Sequence, residues 1–316
     1  MKKIFGFASV ILVFLLLLPL TVLGQPSKAT AIEKVEIKNI TPQKSFKVLR
    51  SATNEIEEFS YDDYIFGVVA AEMPALYEIE ALKAQAVAAH TFTLYRMAAN
   101  ENKDYDITDN FKVDQAFITE SEAREKWGEN ADEYIKKIRS AVSDTKNLAL
   151  TCGGEIILSA YHSISSGKTE DCKYVWGSDK SYLKSVESVG DKLSPNYIST
   201  KTATISEIKA LFPDLTLTDN LGEYFKDIKK TDAGRVLSLK ICQNEIKGVD
   251  IREKLDLRSA CFDVSCNENT FTFTVYGYGH GVGMSQNGAN YMAQQGADFK
   301  EILCHYYTGC EIKEIK

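Results

Sequence analysis

The chain opens with Met1-Lys2-Lys3 and then runs from Ile4 to Gly24, 21 residues without a charge and mostly apolar. At about 1.5 Å per helical residue that length crosses a hydrocarbon core of roughly 30 Å. The two lysines then stay in the cytoplasm and everything after Gln25 lies outside. This predicts a single-pass cell-membrane protein with an extracytoplasmic C-terminal part. A cleaved signal peptide is the competing reading, with Val22-Leu23-Gly24 as its small-residue cleavage site. Secretory apolar regions run about 7–15 residues, so the length favours a retained anchor. Residues 25–34 are polar and small and predict a linker, leaving 35–316 for the globular domain.

Beyond the linker the period of the pattern changes. Val35-Glu36-Ile37 and Phe46-Lys47-Val48-Leu49 alternate as short strands do. Ser60, three residues before Asp63, marks a helix start, and the helix it opens, Tyr61 to Met73, is stopped by Pro74. A second helix is expected from about Glu78 to Asn100, with Ile79, Leu82, Ala86, Leu94 and Met97 as its inner stripe. A third runs from about Ser121 to Ser140. From about Leu148 to Val189 the pattern is strand and loop. A helical piece, Ser206 to Phe212, ends at Pro213. Val236 to Ile241 and Phe271 to Val275 read as strands, and a glycine-dense loop with two short helices closes the chain. The order predicts an α+β fold, a helical region packed on a mixed or antiparallel sheet region.

Charge excludes one class of function. The chain carries 44 Asp+Glu against 37 Lys+Arg; Lys2 and Lys3 belong to the leader, which leaves 35 against 44 and a net charge of −9. Nucleic-acid binding calls for a basic stripe, and none is present. Seven cysteines follow the leader, an odd number with no C-x-x-C pair, and most are expected to act as small buried hydrophobes.

Three clusters could carry chemistry. In the first, Glu72 stands among Val68, Val69, Ala70, Ala71 and Met73. Apolar surroundings disfavour the carboxylate and raise its pKa, as a general acid near neutral pH requires. The structural alternative is that Glu72 pairs with the next helix through Lys83. Lys83 and His90, seven apart, lie on nearly one line along that helix. The second cluster is Tyr161-His162-Ser163-Ile164-Ser165-Ser166-Gly167-Lys168-Thr169-Glu170-Asp171, a loop rich in hydroxyls that suits sugar hydroxyl or acetamido groups, or else forms an ordinary polar turn. The third is Gly277-Tyr278-Gly279-His280-Gly281-Val282-Gly283-Met284-Ser285-Gln286, where glycines let backbone approach a ligand and His280 is the only group that titrates near neutral pH. Its glycine spacing fits neither a dinucleotide nor a P-loop cradle. Neither His162 with Cys172 nor Cys304-His305 with Cys310 has a recognised zinc spacing.

Together these clusters closely resemble the SpoIID (stage II sporulation protein D) family and its wider SpoIID/LytB domain. The resemblance runs from about residue 35 to the end. It is carried by Gly67-Val68-Val69-Ala70-Ala71-Glu72-Met73-Pro74, by Glu80-Ala81-Leu82-Lys83-Ala84-Gln85-Ala86-Val87-Ala88-Ala89, and by Tyr161-His162-Ser163 with Ser166 to Glu170. Val175-Trp176-Gly177, Leu257-Arg258-Ser259, Gly279 to Gln286 with Gly288-Ala289, and Ile302-Leu303 with His305-Tyr306-Tyr307 complete it. The resemblance implies a lytic transglycosylase, membrane-held during engulfment in sporulation. It would cleave the MurNAc–GlcNAc bonds of peptidoglycan glycan strands after an amidase has stripped the stem peptides. It places the catalytic glutamate on Glu72 and implies as partners that amidase and a membrane scaffold of the engulfment machinery. As substrate contacts we take Lys83, His90, Tyr161, His162, Ser163, Ser165, Thr169, His280, Gln286 and Tyr307. The chain departs from the family at His90, usually Arg, and at Asn287, often Tyr. No cofactor is expected from the residues; clostridial relatives bring zinc into view, with His162 and Cys172 as first ligands, and hence a zinc-dependent hydrolase as a rival. The LytB side of the family suggests another, a non-catalytic wall-binding module that activates a partner amidase.

Overall fold

The computed structural model describes residues 40–316. The uncharged leader, the linker and the strand expected at 35–37 lie outside them. Among the described residues no helix is long and apolar enough to cross a membrane. The observed class is α+β.

Antiparallel strands β1 (Ser45–Leu49) and β2 (Ile56–Ser60) lead straight into helix α1 (Tyr61–Glu72). The Ser60 hydroxyl accepts the Asp63 amide at 3.2 Å, and Asp62 and Asp63 sit at the positive end of the helix dipole. Helix α1 ends at Glu72 because Met73, which precedes Pro74, is extended. Helix α2 (Ile79–Ala99) follows, and β3 (Ile107–Thr108) then pairs with β1 in parallel. The expected third helix is two, α3 (Glu120–Trp127) and α4 (Ala131–Asp144), because Gly128 takes a positive φ and a 3-10 turn intervenes. Next come β4 (Leu148–Cys152), β5 (Glu155–Ile156), β6 (Tyr161–His162) and the short α5 (Cys172–Trp176).

A second body interrupts this one. Strand β7 (Ile198–Thr204), helix α6 (Ile205–Leu211), strands β8 (Lys226–Lys230), β9 (Val236–Ile241) and β10 (Asn244–Lys247), helix α7 (Gly248–Lys254), and strands β11 (Phe262–Asn267) and β12 (Thr270–Tyr276) build two antiparallel three-stranded sheets. Alternation along β12 sends Phe271, Phe273 and Val275 inward, against Phe262, Leu239 and Ile251. Each such side chain contributes about 1.5–3 kcal/mol on burial, enough to give this insertion a core of its own.

The chain then returns. Strand β13 (Met284–Ser285) pairs in parallel with β6, helices α8 (Gln286–Gln294) and α9 (Phe299–Tyr306) follow, and β14 (Glu311–Glu314) closes the sheet β14-β4-β5. Helix α2 is the axis of this first body, with α1, α4, α8, α9 and β4 packed around it. Its burial therefore corrects the sequence expectation. Instead of one inner stripe, nearly its whole length from Ala81 to Tyr95 is buried, and its many alanines allow neighbours on every side.

No disulfide forms. Cys172, Cys242 and Cys310 are buried, Cys152 and Cys261 are partly exposed, and Cys266 and Cys304 are exposed, so burial holds for three of the seven.

Candidate active site

Glu72 occupies the last position of α1, where the negative end of the helix dipole adds to an apolar setting, and no basic residue sits in that last turn. Burial pushes its carboxyl above the ordinary carboxylate range, opposed by the Ala116 amide and a hydrogen bond from Gln286. The Ala116 amide donates to Oε1 at 2.9 Å. Salt-bridge pairing to Lys83 is ruled out, because Lys83 pairs with Glu80 at 2.9 Å and Asp144 at 3.1 Å.

The carboxyl faces a groove of about 740 Å³. The volume suits a ligand rather than a few waters. Ala71 and Glu72 reach it from α1, Phe92 and Arg96 from α2, and Tyr161 and His162 from β6. Residues 111–115 form a wall between β3 and α3, and Gln286 enters from the start of α8. Trp176 comes from α5, Arg252 from α7, and Tyr278 to His280 from the glycine-dense loop.

Two further carboxylate oxygens border the groove on Asp114, and both are committed. Oδ1 pairs with Arg96, and Oδ2 accepts the Thr108 amide at 2.9 Å. Beside it Gln115 ties the wall to three elements. It donates to Tyr64 at 3.2 Å and Thr93 at 3.0 Å, and accepts from the Tyr161 hydroxyl at 2.7 Å.

A row of rings follows. Trp176 lies 5.2 Å from His280, which lies 5.6 Å from His162. His162 shares a hydrogen bond through Nδ1 with the Val282 carbonyl, and His280 Nδ1 accepts the Val282 amide, both at 3.1 Å. Burial lowers the pKa of His162 to about 4 and that of His280 to about 3, so both are neutral near pH 7. The alternating glycines explain how this loop passes so close. Gly277, Gly279, Gly281 and Gly283 all take positive φ, and a Cβ on Gly279 would stand 2.8 Å from that of His162.

Of the expected substrate contacts, Tyr161, His162, Ser163, His280 and Gln286 line the groove with Glu72. The others do not. Lys83 is held by the two acids named above. His90 is buried among Tyr61 and Phe46, its Nδ1 on the Leu148 carbonyl at 2.9 Å. Ser165 binds the buried Asp191, which also accepts from Ser285. Thr169 is fully buried against Lys184 and Val186, and Tyr307 donates to the Ala160 carbonyl at 2.9 Å. Asn287 also bonds Asp191, so this departure from the motif serves the frame. Sequence reasoning missed Gln115, Asp114, Arg96 and Arg252. Trp176 and Tyr278 were visible only as parts of motifs.

The zinc expectation finds no third ligand. The Cys172 thiol donates to the Ser178 carbonyl and accepts the Lys180 amide, and among the described residues no three His, Cys, Asp or Glu side chains gather. These residues do not fit a protein-held ion.

The model of a family described as "Stage II sporulation protein" matches residues 50–152, which hold α1, α2 and the groove wall. The chain is 37% identical to stage II sporulation protein D of Bacillus amyloliquefaciens and 39% identical to that of Bacillus subtilis (strain 168). Each alignment covers 85% of this chain and 79% of the relative. The chain belongs to the SpoIID family. A more distant likeness, 29% over 49% of this chain and 20% of the relative, is to the amidase enhancer of Bacillus subtilis (strain 168). That shared stretch accounts for about half of the SpoIID chain, against the 85% taken in by the stage II protein D likeness.

Proposed function

We propose that this SpoIID protein is a lytic transglycosylase, held at the membrane and acting in sporulation on peptide-stripped peptidoglycan strands. The observation that carries the reading is the Glu72 carboxyl, whose pKa burial raises and which opens to a groove whose lining holds no other uncommitted carboxyl.

Glycosidases that use water generally need two carboxyl groups. A transglycosylase needs one. Protonated Glu72 gives its proton to the glycosidic oxygen between MurNAc and GlcNAc, and the bond to C1 breaks with positive charge developing on the sugar. The carboxylate left behind keeps the Ala116 amide and Gln286 as donors. It then takes the proton of the C6 hydroxyl of the same MurNAc, whose oxygen closes onto C1 as a 1,6-anhydro ring. The nucleophile is intramolecular, so proximity lowers the barrier and no water site is required. Neutral His162 and His280 line the groove without repelling the cationic sugar.

The likeness to the amidase enhancer favours a second reading, a wall-binding module that activates a partner amidase. Mass spectrometry of amidase-treated peptidoglycan separates the two. Anhydro-MurNAc ends are expected with this protein and absent with Glu72→Gln. Amidase stimulation without anhydro ends, unchanged by that substitution, would select the second reading.

A further inference from the structure

Seven arginines lie in the described residues, in a protein with more carboxylates than cations. Arg50, Arg96, Arg124 and Arg139 each sit in an ion pair. Arg235 is buried beneath the glycine-dense loop, donating to the His280 carbonyl at 3.5 Å with Glu170 nearby. That leaves Arg252 and Arg258, for which no carboxylate stands within ion-pair distance among the described residues.

Both stand at one place. Arg252, on α7, is half-buried and lines the groove, and its Nε donates to the Leu257 carbonyl at 3.3 Å. That bond uses Nε, and among the described residues neither terminal nitrogen has a hydrogen-bond or ion-pair partner. Its neighbour Glu253 is exposed and exerts only a through-space attraction. Arg258 lies over the ring of Tyr278 at 5.5 Å, and Tyr278 lines the same groove. The Arg258 carbonyl accepts the Gly279 amide at 3.0 Å, which fixes it one residue from His280. A half-desolvated cation without a partner is costly, and a planar guanidinium pairs best with a two-oxygen acid.

We propose that Arg252, assisted by Arg258, forms an anion subsite at the end of the groove by Tyr278 and His280 and holds a carboxylate carried by the glycan. This rests on the glycan-cleaving reading above. In a peptidoglycan strand GlcNAc is neutral, whereas MurNAc carries a lactyl ether. The carboxyl of that ether is charged when free and neutral when amide-linked to a peptide. The subsite therefore discriminates between the two states of MurNAc, and the second body of the fold contributes to specificity because it supplies both arginines.

The test uses the full-length Glu72→Gln protein in detergent and three probes of equal length. These are a GlcNAc tetramer, a GlcNAc–MurNAc tetrasaccharide with free lactyl carboxylates, and the same tetrasaccharide with those groups as methylamides. We expect the free acid to bind about tenfold or more tightly than either neutral probe, as a paired charged contact supplies. Adding Arg252→Gln should erase the difference between the free acid and the methylamide, and a melting temperature equal to that of the Glu72→Gln parent reports that the fold is intact. Arg252→Lys should restore part of it, and Arg258→Gln should reduce it. Equal affinity for all three probes, or a preference that survives both glutamine substitutions, overturns the subsite. Failure of all three probes to bind would overturn the glycan reading beneath it.

Discussion

The backbone amide of Ala116 donates a 2.9 Å hydrogen bond to Oε1 of Glu72. The carboxyl is thus aimed by a loop 44 residues further along the chain. Ile118 anchors that loop, its amide reaching the Gly67 carbonyl at 3.3 Å, and Gln115 ties it to Tyr64, Thr93 and Tyr161. The aim of the Glu72 carboxyl depends on the wall as much as on the helix.

The Glu72→Gln variant should lose at least about 100-fold in glycan cleavage, the usual contribution of a positioned general acid. It should not lose stability. A carboxyl whose pKa rises on folding is protonated in both states at low pH, and the folded state carries a penalty only as the pH climbs through the folded value. The glutamine oxygen still accepts the Ala116 amide and carries no charge at any pH. Thermal melts from pH 4 to 8 should therefore show the variant equal to the wild type in acid and at least as stable above neutrality. A variant that melts lower at pH 8 would mean that the carboxylate is held by compensating interactions.

Trp176 is held by Gly177, which ends α5 in the left-handed conformation, and it leaves 43% of its surface exposed beside the groove. Tyr278 leaves 49% exposed on the same lining. Exposed aromatic faces suit the apolar face of a sugar ring. Trp176→Ala should raise KM by about tenfold, corresponding to roughly 1.4 kcal/mol, with kcat little changed. A loss confined to kcat would move Trp176 from sugar binding to support of His280.

Local signals were legible where a breaker or a cap set them. Pro74 and Pro213 stopped their helices at the expected places, Ser60 capped its helix, and the Phe271 to Val275 alternation was a strand. Glu72 was legible because a lone acid in an apolar stretch is visible in one dimension. Its surroundings were not. Gln115 and Arg252 stand in polar stretches no different from other loops and helices, and only tertiary folding brings them to the groove. His90 misled in the opposite direction: on one line with Lys83 along α2 it is expected as a substrate contact, but that helix is surrounded on all sides and the ring lies in the core.

Three histidines, His90 and His162 buried and His280 partly so, make the fold sensitive to acid. Burial lowers His90 and His162 to about 4 and His280 to about 3, all below the value near 6.5 of the unfolded chain. Between those limits the unfolded state binds more protons, so stability is complete above pH 6.5 and is lost as the pH falls toward 4. Denaturant midpoints should drop over that interval. His90→Asn, whose amide nitrogen can replace Nδ1 at the Leu148 carbonyl, should make the drop shallower without changing glycan cleavage at pH 7. An unchanged slope would show that His90 titrates normally, and lost cleavage would return it to the site.

Gly67 offers the sharpest contest between two rules. Glycine inside a helix costs about 1 kcal/mol relative to alanine, so helix propensity alone predicts that Gly67→Ala stabilises. Packing predicts the reverse. A Cβ there would stand 2.3 Å from the Ile118 carbonyl oxygen and 2.4 Å from the Phe117 ring. The ring could turn, but the carbonyl belongs to the backbone that presents Ala116 to Glu72, and Phe117 is itself buried. Overpacking of this kind costs about 1–3 kcal/mol. The variant should therefore melt lower than wild type by several degrees for a loss of that size, and its glycan cleavage should fall by more than any loss of folded protein explains, because the wall must retreat from the carboxyl. A Gly67→Ala protein that is both more stable and fully active would show that residues 115–118 do not set the aim of Glu72.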